Sequence, residues 1–180
     1  KLKDELADVA KKTDMTDREV NKLNGSLKKM DTRTPTKELR EMAGVGGQFG
    51  VAKTQIEGFV DGADKVNVAL GDQFGSAEAT AGAVLKLRNI FQNIKSDNIK
   101  EDMLHIGNAL NVLEADGAAT GAGMADFASR MGGVLIPLKV TEAQVLGLSA
   151  TLEELNVTAE RGSTATVDIF QRMLTETETF

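Results

Sequence analysis

Eighteen glycines and two prolines stand in a chain of 180 residues whose apolar side chains recur at helical spacing. That combination limits the fold more than any other feature. A glycine inside a helix costs about 1 kcal/mol against alanine, so repeated glycines are expected at helix stops or where two backbones approach closely. Residues 43–50 read Ala-Gly-Val-Gly-Gly-Gln-Phe-Gly and end a helix, which restarts at Thr54 with Gln55-Ile56-Glu57-Gly58-Phe59. Many short helices, frequently stopped and capped, follow from this punctuation.

The apolar spacing supplies the helices themselves. Leu2, Leu6, Val9 and Ala10 share one face, which ends near Thr13-Asp14. Thr16-Asp17-Arg18-Glu19 has capping-box spacing, and Val20, Leu23, Leu27 and Met30 follow as a stripe. Two such narrow stripes flanked by charge pair as a hairpin or extend into a coiled coil. Pro35 suits the first turn of the next helix, which carries Leu39, Met42 and Ala43. A second capping box is expected at Thr54-Gln55-Ile56-Glu57, with Ile56, Phe59, Val60, Ala63 and Leu70 buried and Gly71 as a left-handed stop. Ser76 is expected to cap a helix with Val84, Leu87, Phe91 and Ile94; Asp97 or Asn98 opens one with Met103, Ile106 and Leu110, closed by Gly117. Met124, Phe127, Ala128 and Met131 make a further stripe, ended by Gly132, Gly133 and Pro137. Thr141 to Gln144 is a third capping box ahead of Val145, Leu148, Leu152 and Leu155. Asn156 is a stop, and Thr158 starts the last helix, with Val167, Phe170 and Leu174. No segment alternates as a strand does. The expectation is an all-α fold, a compact multi-helix bundle of short antiparallel helices with a charged helical lead-in at its N-terminus.

Gly46-Gly47 and Gly132-Gly133 lie 86 residues apart, each between a helix and an apolar turn leading to a capped helix. This spacing fits a duplicated helical hairpin, and it also fits the general likeness of short helix connections.

Charge divides the chain. Residues 1–42 carry 11 basic and 9 acidic side chains, whereas the remainder carries 10 basic and 18 acidic. A division at residue 34 follows, with a charged helical or coiled-coil lead-in over 1–33 and an acidic, apolar-rich body over 34–180. An acidic body repels phosphate backbones, so specific nucleic-acid binding is not expected. The chain has no cysteine, which removes disulfides and thiolate metal sites. No apolar run approaches the length of about 18 residues that a membrane span needs; the densest, Val134-Leu135-Ile136-Pro137-Leu138, is far shorter. Lys1-Leu2-Lys3-Asp4 shows no signal peptide, and without an initiator methionine the chain reads as a piece of something longer.

Candidate chemistry is sparse. His105 is the single histidine, with Glu101, Asp102 and Ala109 as helical neighbours. Asp102 and His105 at i, i+3 could offer two metal ligands, but a site needs a third and fourth, and a surface histidine is the simpler reading. Gly44-Val45-Gly46-Gly47 follows a helix and lacks the lysine of a phosphate loop. No Gly-x-Ser-x-Gly surrounds any serine. The methionines fall on apolar stripes as core fillers, and Glu153-Glu154 reads as a solvated helix face. No catalytic, cofactor-binding or metal residue is therefore assigned, and no cofactor is expected.

Several pieces in order resemble the core region of phage tail tape measure proteins. They are Thr34-Pro35-Thr36-Lys37-Glu38-Leu39, Gly47-Gln48-Phe49-Gly50-Val51-Ala52 and Ile56-Glu57-Gly58-Phe59. The resemblance continues through Phe91, Ala118-Ala119-Thr120 and Phe127-Ala128-Ser129-Arg130 to the segments 156–165 and Phe170-Gln171-Arg172-Met173-Leu174. It implies a structural protein of a long-tailed phage or prophage, not an enzyme, which helps to set tail length, is enclosed by the polymerising tube and leaves ahead of the DNA. The implied partners are tail tube and tail-tip or baseplate proteins, tail assembly chaperones and further copies of itself, with host envelope contact at ejection. The implied location is the virion tail and, during assembly, the cytoplasm of the infected or lysogenic host. As one rod the chain would span about 270 Å at 1.5 Å per residue, yet its stops make it a compact anchoring or assembly piece. Two rival readings are a helical adaptor or effector module that docks partner helices, and a metal enzyme built on Asp102 and His105.

Overall fold

The computed structural model describes residues 1–135 and 137–176. Among these there are nine α-helices, two single-turn 3-10 helices and no strand. They are α1 (Leu2–Thr13), α2 (Asp17–Leu27), α3 (Thr36–Gln48), α4 (Ile56–Phe74), α5 (Ala77–Ile90), α6 (Ile99–Asp116), α7 (Gly121–Leu135), α8 (Glu142–Glu154) and α9 (Ala159–Glu176). The all-α expectation holds. The helices gather into two compact units, one of residues 1–85 with 96–107 and the other of 86–95 with 108–180.

In the first unit α3 is the central element, packed against α1, α2 and α4. Leu39, Met42, Ala43 and Val45 of α3 are buried with Ile56, Phe59, Val60 and Ala63 of α4. α1 ends at Asp14 in left-handed geometry (φ 54°). Thr16 then forms the expected capping box with Glu19, its backbone N–H donating to the glutamate at 2.7 Å.

In the second unit α7 is the central element, packed against α8 and α9. Met124, Phe127, Ala128 and Met131 of α7 are buried, as are Val145 and Leu146 of α8. The Thr141–Gln144 capping box forms as read, and two residues past the end of α8 Asn156 turns the chain at φ 56°. In each unit a helix, an apolar turn and a second helix make the frame, and α1 or α9 is added to it.

Other expectations need correction. Thr54 does not cap α4: it lies in a 3-10 turn, Lys53–Gln55, closed by Gln55 N–H donating to the Ala52 carbonyl at 2.8 Å. That turn carries the chain straight into α4, and Gln55 spends its side-chain amide on the Asp97 carbonyl (2.9 Å). Gly71 is not a stop either, because α4 runs on to Phe74 and Gly75, at φ 82°, ends it. Gly132 and Gly133 lie within α7; a Cβ on Gly132 would stand 2.9 Å from the Ile90 side chain, so this glycine serves packing, not termination. α5 ends at Ile90, one residue before buried Phe91, and Ile94 falls in a separate 3-10 turn. Leu155 is 68% exposed, because α8 ends before that position turns inward.

Candidate functional site

The residues with the most chemical promise are committed to local structure. Asp102, in the first turn of α6, is buried and accepts from the Ser96 hydroxyl (2.6 Å) and the Ser96 N–H (3.1 Å). It thereby ties the incoming chain to the helix start. His105 is exposed. Among the described residues no group of three histidine or acidic side chains converges as metal ligands would.

What the residues do bring together is helices. A Cβ on Gly47 would overlap the Lys12 carbonyl and lie 2.8 Å from Thr13 Cα, so α3 meets the backbone of α1 only because glycine stands there. One residue earlier, a Cβ on Gly46 would reach Phe59 at 2.7 Å, which places α4 on the neighbouring side of the same turn. In the second unit Gly162 of α9 lies against the Phe127 ring, where a Cβ would overlap the ring.

Charge reinforces these contacts. Arg40, on the apolar side of α3, donates from Nη1 to Asn24 Oδ1 at 3.0 Å and from Nε to Glu5 at 3.1 Å. One guanidinium thus links α1, α2 and α3. Asp61 of α4 receives Lys65 at one oxygen and Lys100 of α6 at the other, both at 2.5 Å. Burial pushes the Asp61 carboxyl up, but hydrogen bonds from Lys100 and Lys65 and their charges outweigh it and hold it below its ordinary value. The same contact raises the Lys100 ammonium.

A further constellation escapes the sequence reading. Glu154 is exposed and Glu153 half-buried, so the pair does face solvent in part, but both carboxylates also accept hydrogen bonds. Thr120 donates its hydroxyl to Glu153 Oε1 (2.7 Å), and Ala118 donates its N–H to Glu154 Oε1 (3.2 Å). Glu114 accepts from Gly121 N–H at 3.3 Å, and Thr120 Oγ1 accepts from Gly123 N–H at 3.0 Å. Glu114 of α6 therefore takes one open N–H group at the start of α7, where the helix dipole favours negative charge, and Thr120 takes another, while Glu153 and Glu154 of α8 hold Thr120 and the chain just before it. Gly117 and Gly123 leave the space these carboxylates occupy. The glycines and Thr120 were the available signal, since a threonine before an apolar run marks a helix start.

This arrangement builds helix contacts and satisfied helix ends. A family model described as phage-related minor tail protein matches residues 17–180. The chain belongs to that family. Neither curated proteins nor solved structures yield a match. The match takes in α2 through α9, and so residues of both units of this minor tail protein. Family membership gives the chain a structural place in the phage tail, alongside other tail components. Among the described residues of this tail protein, no helix is long and apolar enough to cross a membrane.

Proposed function

We propose that this chain is the core region of a tape measure protein, the tail component that sets tail length. The observation that carries the reading is the minor tail family match over 17–180, which overlaps the ordered tape-measure-like segments between Thr34 and Leu174. The division at residue 34 belongs to this reading. The charged segment 1–33 leads in from coiled-coil neighbours and is clasped to the acidic body through Glu5 and Arg40.

In this role the chain works mechanically, without catalysis, metal or cofactor. Short capped helices make a folded anchoring piece, while the ruler itself lies in extended helical stretches elsewhere in the polypeptide. The partners are the tail tube, the tail tip or baseplate, assembly chaperones and further copies of the chain. Assembly takes place in the cytoplasm of the infected or lysogenic host, and the protein leaves ahead of the genome, meeting the host envelope.

The test is tail length. Duplicating a helical stretch of the parent gene outside 17–180 should lengthen tails by about 1.5 Å per added residue, measured by electron microscopy of purified virions. Normal tails from such a duplication would overturn the reading. Deleting 34–176 should stop tail assembly instead of shortening tails in proportion.

A further inference from the structure

The second unit contains an apolar groove of about 440 Å³ between the end of α7, the 137–141 connection, α8 and α9. Met131, Leu135, Leu138, Val145, Leu148 and Phe170 make its walls. Two polar side chains line it. Gln144 is engaged, its side-chain oxygen accepting from the Thr141 N–H and hydroxyl at 3.0 Å each. Lys139 is exposed, held in left-handed geometry at φ 52°, and makes no ion pair among the described residues. A lysine adopts that backbone at a cost, and here it stands at the edge of the groove and of the adjoining hollow lined by Ile90 and Phe91.

We propose that this groove binds a single aliphatic chain ending in a carboxylate. Three observations select that ligand. The volume lies in the range of small-molecule sites, about 300–1,000 Å³. The walls are mostly unbranched or γ-branched aliphatics, including Met131, which adapt to a flexible chain better than to a rigid planar ring. In a protein of net charge −6, a lone unpaired ammonium beside an apolar groove favours an anionic head and leaves a cationic one with no partner. Free aliphatic acid is the source, not a bilayer: the groove accommodates one chain, and its one cation is far short of the basic cluster that anionic membranes recruit. This proposal is independent of the tape measure reading, and either can fail alone.

The test is a methyl-resolved NMR titration of the full chain with decanoate below its micelle concentration. Decyltrimethylammonium serves as the cation of equal chain length. Decanoate should shift the methyl resonances of Met131, Leu135 and Leu148, with the cation weaker by about fivefold or more. Lys139→Asn, which suits the left-handed backbone, should remove the preference between the two heads. Leu148→Glu should abolish decanoate binding with the helical circular dichroism kept; should that variant unfold, Lys139→Asn alone decides. Absence of shifts at the groove, or equal response to both head groups, overturns the proposal. So does co-sedimentation with phosphatidylglycerol vesicles that protects the same methyl groups without binding of free decanoate.

Discussion

Arg40 of α3 donates from Nε and Nη2 to one oxygen of Glu5 in α1, the Nη2 bond being 2.5 Å long, while its Nη1 holds Asn24 of α2. The arginine side chain is 10% exposed and the glutamate 23%, so the pair is largely withdrawn from water. Removing one partner of such a pair strands the other. Arg40→Ala should lower unfolding stability by about 3 kcal/mol, the lower end for a buried pair that loses one partner, in urea titration. A double-mutant cycle with Glu5→Gln should give a coupling above 1 kcal/mol, about the ceiling for exposed pairs. Simple additivity would show that the link between α1 and α3 is apolar only.

Gly47 and Gly147 should respond in opposite directions. Alanine at Gly47 drives a methyl into the α1 backbone, an overpacking that costs about 1–3 kcal/mol. Alanine at Gly147, within α8 and with nothing inside 4 Å, should add up to about 1 kcal/mol through helix propensity. Thermal melts of the two variants check both signs at once.

Thr141→Ala removes the side chain that accepts from Gln144 N–H and donates to Gln144 Oε1. A loss of about 1 kcal/mol is expected. Amide exchange should accelerate in the first turn of α8 and leave α3 unchanged.

The Asp61 contacts predict acid sensitivity. Its carboxyl is held below its ordinary value in the folded chain, so the stability it contributes is present above that ordinary value, about pH 3.9. It is lost as pH falls through the depressed folded value. In Asp61→Asn the midpoint of denaturation should depend less on pH below about 4. An unchanged acid limb in that variant would remove the pair with Lys100 and Lys65 from the stability of the first unit.

Asp64 is 3% exposed, and its Oδ1 has no hydrogen-bond partner. A buried acceptor without a donor costs about 1–3 kcal/mol. Asp64→Ala should therefore raise the unfolding midpoint despite the lost volume. A fall would mean that the lost packing outweighs the orphaned acceptor.

Much of this architecture is local in origin, and local rules reach it. The Thr16 and Thr141 boxes and the stop at Asn156 each depend on residues within four positions of one another, so composition and spacing determine them. The positions of Leu39, Met42, Ile106 and Phe127 on buried faces follow from helical periodicity in the same way. Gly71 and Gly75 mark where that legibility ends. Both could stop a helix, and only Gly75, at φ 82°, takes the left-handed geometry that ends α4. Gly132 looked like a terminator for the same reason and proved to be a seat for Ile90.

By itself, the sequence determined that this chain forms short helices with capped ends, and which face of each is apolar. The tertiary structure alone decided which helices meet, that Arg40 would gather α1, α2 and α3, and that Glu153 and Glu154 would hold the chain leading into α7. The reason is distance along the chain. Glu5 and Arg40 are 35 residues apart and Glu153 and Thr120 are 33, and the pairing of groups so separated is set by the packing of whole helices, a relation that helical periodicity does not encode.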